Sequence, residues 1–176
     1  MVKGNSAYNR EPAVSGRLEV LNILNEVLAS QVISCLRYKL QESMAMEIQA
    51  CSMASEFSKF AQKAQYHVGL ISERIMQLED EPSFNLEKSL IGNHSLFTEG
   101  SSLQEMIKED WVAERIAIDS LREKISAIAD NEKITSCVLE KILVSKTEHA
   151  DSLINLITSI DPLMINGSLH PKLSCI

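Results

Sequence analysis

The chain has 176 residues, of which 45% are hydrophobic and 23% charged, so it is long enough to bury one sizeable core and is predicted to form one domain. Aromatic residues make up 5% of the sequence, and only six glycines and four prolines are present, a composition that favours helix and argues against an all-β fold. The net charge of −7, without any basic run, excludes general binding to nucleic acid or to an anionic membrane, and indicates a cation or another protein as the partner.

The beginning of the chain and its cysteines point to the cytoplasm. Residues 1–16 are polar and lack the apolar stretch of a secretory signal, and the longest apolar runs are far below the roughly 18 residues of a membrane span. The cysteines are far apart and show no CxxC spacing, so we predict reduced thiols, buried on helices except for a reactive thiol near the end of the chain; they are Cys35, Cys51, Cys137 and Cys175.

Two long stretches of the chain, residues 17–81 and 101–161, contain one glycine between them, Gly69, and no proline. A straight helix of roughly 60 residues would be about 90 Å long, too long for a compact domain of this size, so each stretch is predicted to fold back once. We place helices at 14–41, 45–80, 102–128 and 131–160. The breaks fall near residues 42–45 and at the Asp130 and Asn131 pair, which can cap the helix that follows.

The segment between the second and third helices carries turn residues but no helical period. A loop of about 20 residues is unusual in a helical bundle unless it runs the full length of that bundle. The sequence therefore predicts an all-α fold, a four-helix bundle with one long crossover between helices two and three. The predicted organisation is an N-terminal arm over 1–13, the bundle over 14–160 and a C-terminal tail over 161–176.

On the apolar side of each predicted helix lies one residue, Glu or His, of a type that commonly binds metal ions. At 100° per residue, Glu114 lies among apolar residues of the third helix and His149 among those of the fourth. His67 occupies the same kind of position on the second helix, and Glu26 on the first, beside Ile23, Ile33 and Leu40. Because an unpaired buried carboxylate costs several kcal/mol, we expect these four side chains to meet inside the bundle.

Five stretches carry a family resemblance, which spans residues 4–160. They read GNSAYNREPAV, LNEVLASQVISCLRYK, HVGLISERIMQLEDEPSFN, EMIKEDWVAERIAIDSLRE and LEKILVSKTEHADSL. The sequence is similar to the bacterioferritin branch of the ferritin-like superfamily, including its short Dps-like members. That resemblance implies the same ferritin-like four-helix bundle with one long crossover.

The resemblance also implies a metal centre. In that family the positions of Glu26, His67, Glu114 and His149 hold iron ligands of a ferroxidase centre, so these four are the expected residual metal ligands. Haem is not expected, because the methionine that haem-binding members carry two residues before the helix-two histidine is Gln65 in this sequence.

Two positions depart from the family pattern. A bridging glutamate stands three residues before each histidine in the family, and these positions are Ala64 and Lys146 in this chain. An ammonium at Lys146 stands where a divalent cation belongs, so the resemblance implies weak iron binding and a ferroxidase activity that is impaired or lost, with no residue assigned as catalytic. A shifted register in which Glu148 supplies a carboxylate, or a contribution from Glu56, stays open as an alternative.

The function implied is an iron-homeostasis subunit of a homo-oligomeric cage of 12 or 24 chains that stores or detoxifies iron. The alternative is a metal-free structural member, or a partner for a related active subunit, in which Glu26, Glu114 and Lys146 form a buried ionic network. DNA protection of the Dps type needs a basic arm, and the N-terminal segment offers only Lys3 and Arg10.

Overall fold

Four helices account for the part of the chain that the computed structural model describes, which is residues 11–83, 102–130 and 132–160. They are α1 (Glu11–Glu47), α2 (Cys51–Gln77), α3 (Leu103–Ile128) and α4 (Lys133–Ile160), and these ranges contain no strand. The predicted all-α fold is confirmed. Most of the predicted arm, the crossover from residue 84 onward, Asn131, and the tail with Cys175 lie outside the described residues.

Contacts between side chains fix the directions of the helices. Along α1, Arg17 bonds to the backbone at Leu78 and Glu79 and Gln31 lies against His67, so α1 and α2 are antiparallel. A second set of contacts makes α1 antiparallel to α3; it pairs Arg37 with Asp110 and Glu26 with Lys124. The end of α2 and the start of α3 therefore lie at opposite ends of the bundle, as the topology with one long crossover requires.

The core consists of two apolar clusters separated by a polar layer. One cluster brings together residues from the first half of α1, the second half of α2 and the region where α3 meets α4, and includes Leu24, Ile75 and Leu139. The other is built around Tyr38 and Phe57 at the opposite end of the bundle. The four helices cross the gap between the clusters near residues 31, 64–67, 114 and 146–149, and these positions form the candidate site.

The first predicted break is in the wrong place. The helix α1 continues to Glu47 and ends in a Schellman turn, in which the Ala50 N–H donates to the Ala45 carbonyl and the Gln49 N–H donates to the Met46 carbonyl. Gln49 adopts a left-handed φ of 60°, a conformation usually filled by glycine. Because the turn uses glutamine instead of glycine, no ordinary stop signal marks the end of α1 in the sequence.

The ends of α3 follow the prediction more closely. Ser102 caps α3 by accepting the Glu105 N–H, and the Glu105 carboxylate accepts the Ser102 N–H, which completes a capping box.

The described thiols are free, but Cys51 and Cys137 are exposed and Cys35 is partly exposed, so the expectation of buried helical thiols is wrong.

The helix α1 is also long and apolar enough, over Gly16–Glu47, to cross a membrane by length and composition alone. Half of its most apolar window is buried inside the bundle, and a core helix of a soluble protein passes the same test. The expectation that the chain has no membrane partner remains a prediction.

The left-handed turn at Gln49 predicts an unusual stability pattern. A side chain in this conformation costs about 1–2 kcal/mol, and a β-branched one costs more, so Gln49→Val should lower the free energy of unfolding by about 1 kcal/mol while Gln49→Gly keeps or raises it. Urea denaturation measures both variants. The control is exposed Gln65 in the middle of α2, where Gln65→Gly should cost about 1 kcal/mol. An equal loss for glycine at both positions would contradict the assignment.

Candidate functional site

A buried ion pair occupies the polar layer of the bundle. Lys146 on α4 is 2% exposed and Glu114 on α3 is 3% exposed, and the Lys146 Nζ lies 2.8 Å from the Glu114 Oε1. The helix α1 contributes two hydroxyl groups: the Tyr38 OH donates to the same Glu114 Oε1 at 2.5 Å, and the Ser34 Oγ accepts from the Lys146 Nζ at 3.2 Å. Three helices thus meet at one carboxylate and one ammonium.

The two predicted histidines border this ion pair. The His67 Nδ1 lies 3.3 Å from the Gln31 Oε1, and the His149 ring packs on Phe60 with ring centroids 4.4 Å apart. Burial, followed by the Lys146 charge, lowers the pKa of His67 to about 4 and the pKa of His149 to about 3. Both imidazoles are therefore neutral at pH 7.

The residues one turn before each histidine are also inside. Ala64 is 1% exposed on α2, so a methyl group stands one turn before His67, and the Lys146 ammonium stands one turn before His149. Among the described residues, no group of three or more His, Cys, Asp or Glu side chains is arranged to hold one metal ion. Within the same ranges, the Glu114 Oε2 and the His149 Nδ1 are buried without a hydrogen-bond partner.

Glu26 does not reach the centre, and the expectation that it joins the other three residues is wrong. Its side chain is 67% exposed and pairs with Lys124 at 3.2 Å. The apolar residues of α1 are spread around the helix, and Leu40, which helical spacing places on the same side as Glu26, is 45% exposed. The alternative carboxylates do not replace the two missing bridging glutamates: Glu148 is exposed, and Glu56 pairs with Lys59 on the surface of α2.

The position on α1 that faces the centre is Gln31, five residues after Glu26 and about 140° further round the helix. Four residues spaced seven positions apart on α1 are each at most 2% exposed; they are Leu24, Gln31, Tyr38 and Ala45. A polar pair at this spacing within an apolar stripe is the signal that could have identified Gln31 and Tyr38 from sequence. Ser34 has no comparable signal, because small hydroxyl residues occur on every side of a helix.

A second buried polar cluster, missed in the sequence, lies one turn along α3. Asp110 is 1% exposed, and its Oδ1 lies 3.5 Å from the Arg37 guanidinium. Gln41 also hydrogen-bonds to this carboxyl group. Burial raises the pKa of Asp110 to about 7, and the Arg37 charge opposes that rise without cancelling it. This carboxyl group takes up a proton on folding at mildly acidic pH.

The raised pKa predicts how stability depends on pH. Between pH 4 and 7 folded Asp110 holds a proton that the unfolded chain has released, so the contribution of Asp110 to stability is greatest below pH 4 and falls as the pH rises toward 7. Over the whole range the change amounts to about 4 kcal/mol, of which roughly 2–3 kcal/mol falls between pH 5 and 8, and Asp110→Asn should remove it. Denaturation of the wild type and the variant at pH 5 and 8 measures it, with exposed Asp151→Asn as control. Parallel curves for wild type and Asp110→Asn would refute the assignment.

Comparison with known proteins finds one family model and several relatives that match this chain. A family model described as "Ferritin-like domain" matches residues 21–162, the span that contains every residue of the centre. Bacterioferritin BfrA of Mycobacterium tuberculosis is 28% identical over 156 residues, which cover 85% of this chain and 91% of the relative. The bacterioferritins of Mycobacterium leprae and Mycobacterium avium are 27% and 25% identical, and cover 80% and 85% of this chain and 84% and 91% of their own lengths.

Proposed function

We propose that this chain, which belongs to the ferritin-like family, is a subunit of a homo-oligomeric cage that stores or detoxifies iron, and that its own ferroxidase centre is impaired or lost. Iron is the cargo in this proposal. The support for storage is the match over residues 21–162 and the relatives that carry the name bacterioferritin. A cage of 12 or 24 chains and a cytoplasmic location belong to the same proposal.

The Lys146–Glu114 ion pair is the observation that supports loss of the centre. Di-iron carboxylate bundles take a carboxylate and an imidazole, one turn apart, from each of two helices. The two histidines are present, but Ala64 and Lys146 stand where those carboxylates would be, and Glu114 is the only carboxylate described in the polar layer. These residues do not fit two irons held close together.

The charge of Lys146 disfavours iron binding in addition to the missing ligands. At an effective dielectric constant of 20, an ammonium about 4 Å from a divalent ion repels it by on the order of 8 kcal/mol. The same ammonium already neutralises Glu114, the carboxylate that would otherwise attract the ion. Paired-iron oxidation therefore lacks both its ligands and its electrostatic attraction in this subunit.

Iron loading tests the proposal directly. Light scattering should find a large homo-oligomer, and aerobic addition of ferrous iron should fill it with many irons per subunit. Because the ligands for paired oxidation are missing, the fast oxidation of about two irons per subunit should be absent from the absorbance trace. Exposed Glu26→Gln is the matched control and should behave like the wild type. A monomer or dimer that retains no iron would refute storage, and a fast two-iron phase would refute loss of the centre.

A metal-free structural subunit, or a partner for a related active subunit, is the second candidate. The observation that favours it is again the buried ion pair, because the Lys146 ammonium neutralises the Glu114 carboxylate without any metal ion. Glu26 takes no part in this network, contrary to the expectation from sequence. This candidate differs from the first in predicting an assembled protein that takes up no iron by itself.

The buried pair makes a stability prediction for both candidates. Lys146→Met keeps the volume but leaves the buried Glu114 charge without an opposite charge, so the free energy of unfolding should fall by about 3–5 kcal/mol. Adding Glu114→Gln should restore much of the loss. Chemical denaturation measures both variants, with exposed Lys141→Met as the control. Losses that simply add would show that the two side chains are not coupled.

A further inference from the structure

We infer that the centre of this bundle is an internal cation site in which the Lys146 ammonium takes the place of a bound divalent ion, and that Gln31, Ala64 and Lys146 together make the fold independent of metal. This inference deepens the proposed loss of the ferroxidase centre. It does not depend on whether the assembled protein stores iron.

The surroundings of the ammonium support a cation position. Its Nζ has a carboxylate oxygen from α3 at 2.8 Å and a hydroxyl oxygen from α1 at 3.2 Å, and its own helix supplies His149 one turn away. It lies in the polar layer between the two apolar clusters, where it is 2% exposed. Oxygen atoms from separate helices converge on this one positive charge, as they would on a metal ion.

The charges of the layer are balanced without a metal. Gln31 presents a neutral amide to His67, and Ala64 presents a methyl group, so α1 and α2 supply no negative charge to this layer. Glu114 and Lys146 contribute one charge of each sign, and the neighbouring Asp110 has its own partner in Arg37. A divalent ion would add uncompensated positive charge to a buried site, which is strongly unfavourable.

The structure identifies Gln31 as a third position of the centre without a carboxylate, besides Ala64 and Lys146, which are visible in the sequence. It is 1% exposed and lies against the ring of His67, where a carboxylate could act on a metal held by that ring. Restoring carboxylates at positions 64 and 146 alone would leave α1 without a negative charge in the layer. The inference therefore requires three substitutions to recover strong metal binding.

The test compares the wild type with a central triple variant and a surface triple variant. The central variant carries Gln31→Glu, Ala64→Glu and Lys146→Glu. The surface variant carries Asn22→Asp, Gln62→Glu and Lys141→Glu, which make the same total charge change on the same three helices at exposed positions. The probe is Co²⁺ alone, measured by equilibrium dialysis and by its visible absorption, together with thermal unfolding in EDTA and in Co²⁺.

The wild type and the surface variant should show the same weak Co²⁺ binding, and the wild type should unfold at the same temperature in EDTA and in Co²⁺. The central variant should bind up to about two more Co²⁺ per subunit and unfold at a clearly higher temperature in Co²⁺ than in EDTA. Folding of the central variant only when Co²⁺ is present is the same result in a stronger form.

Two outcomes overturn the inference. One is a wild type that binds about two Co²⁺ per subunit in excess of the surface variant, a measurement that requires no folding of the central variant. The other is a folded central variant that binds no more Co²⁺ than the surface variant. Neither outcome decides whether the assembly stores iron, because storage is judged separately by the mineral formed after aerobic loading.

Discussion

The requirement that a buried charge have a partner organises the middle of this bundle. Lys146 and Glu114 lie on different helices, and each would be strongly destabilising alone at an exposure of 2–3%. Their contact fixes the register of α4 against α3, and the hydroxyl groups of Ser34 and Tyr38 extend the same constraint to α1. The two apolar clusters supply the hydrophobic stabilisation on either side, but they tolerate small shifts that a 2.8 Å ion pair does not.

The constraint extends along one edge of α1. Ser34, Arg37, Tyr38 and Gln41 follow the i, i+3, i+4, i+7 spacing of a helix face, and all four bond to ionisable groups of α3 or α4. The contact between α1 and the pair formed by α3 and α4 is thus polar over two turns. Because hydrogen-bonded groups accept only matching partners, this polar seam specifies how the two helical hairpins join.

The fold could be predicted from the sequence because long stretches without proline, and nearly without glycine, leave few alternatives to helix. His67, Glu114 and His149 were correctly placed in the interior, since each lies on the main apolar side of an amphipathic helix. The helix α1 has apolar residues on several sides, so helical spacing alone could not separate exposed Glu26 from buried Gln31. The end of α1 was misplaced because Gln49 makes a turn that a sequence pattern assigns to glycine.

Three positions at the centre, Gln31, Ala64 and Lys146, lack a carboxylate, and this limits where iron chemistry could occur in the proposed cage. Removing the Lys146 charge alone would leave Glu114 beside two imidazoles, with Gln31 and Ala64 still neutral, so no single substitution yields the carboxylates that a pair of irons needs. An iron ion attracted by the net charge of −7 therefore meets, in the middle of a subunit, a carboxylate that Lys146 already neutralises. Exposed carboxylates remain available to it, because they need no buried partner and lose little solvation on binding a cation. In the proposed cage, this chain is then expected to contact iron at the surfaces of its subunits, while the buried interior of each subunit serves the fold.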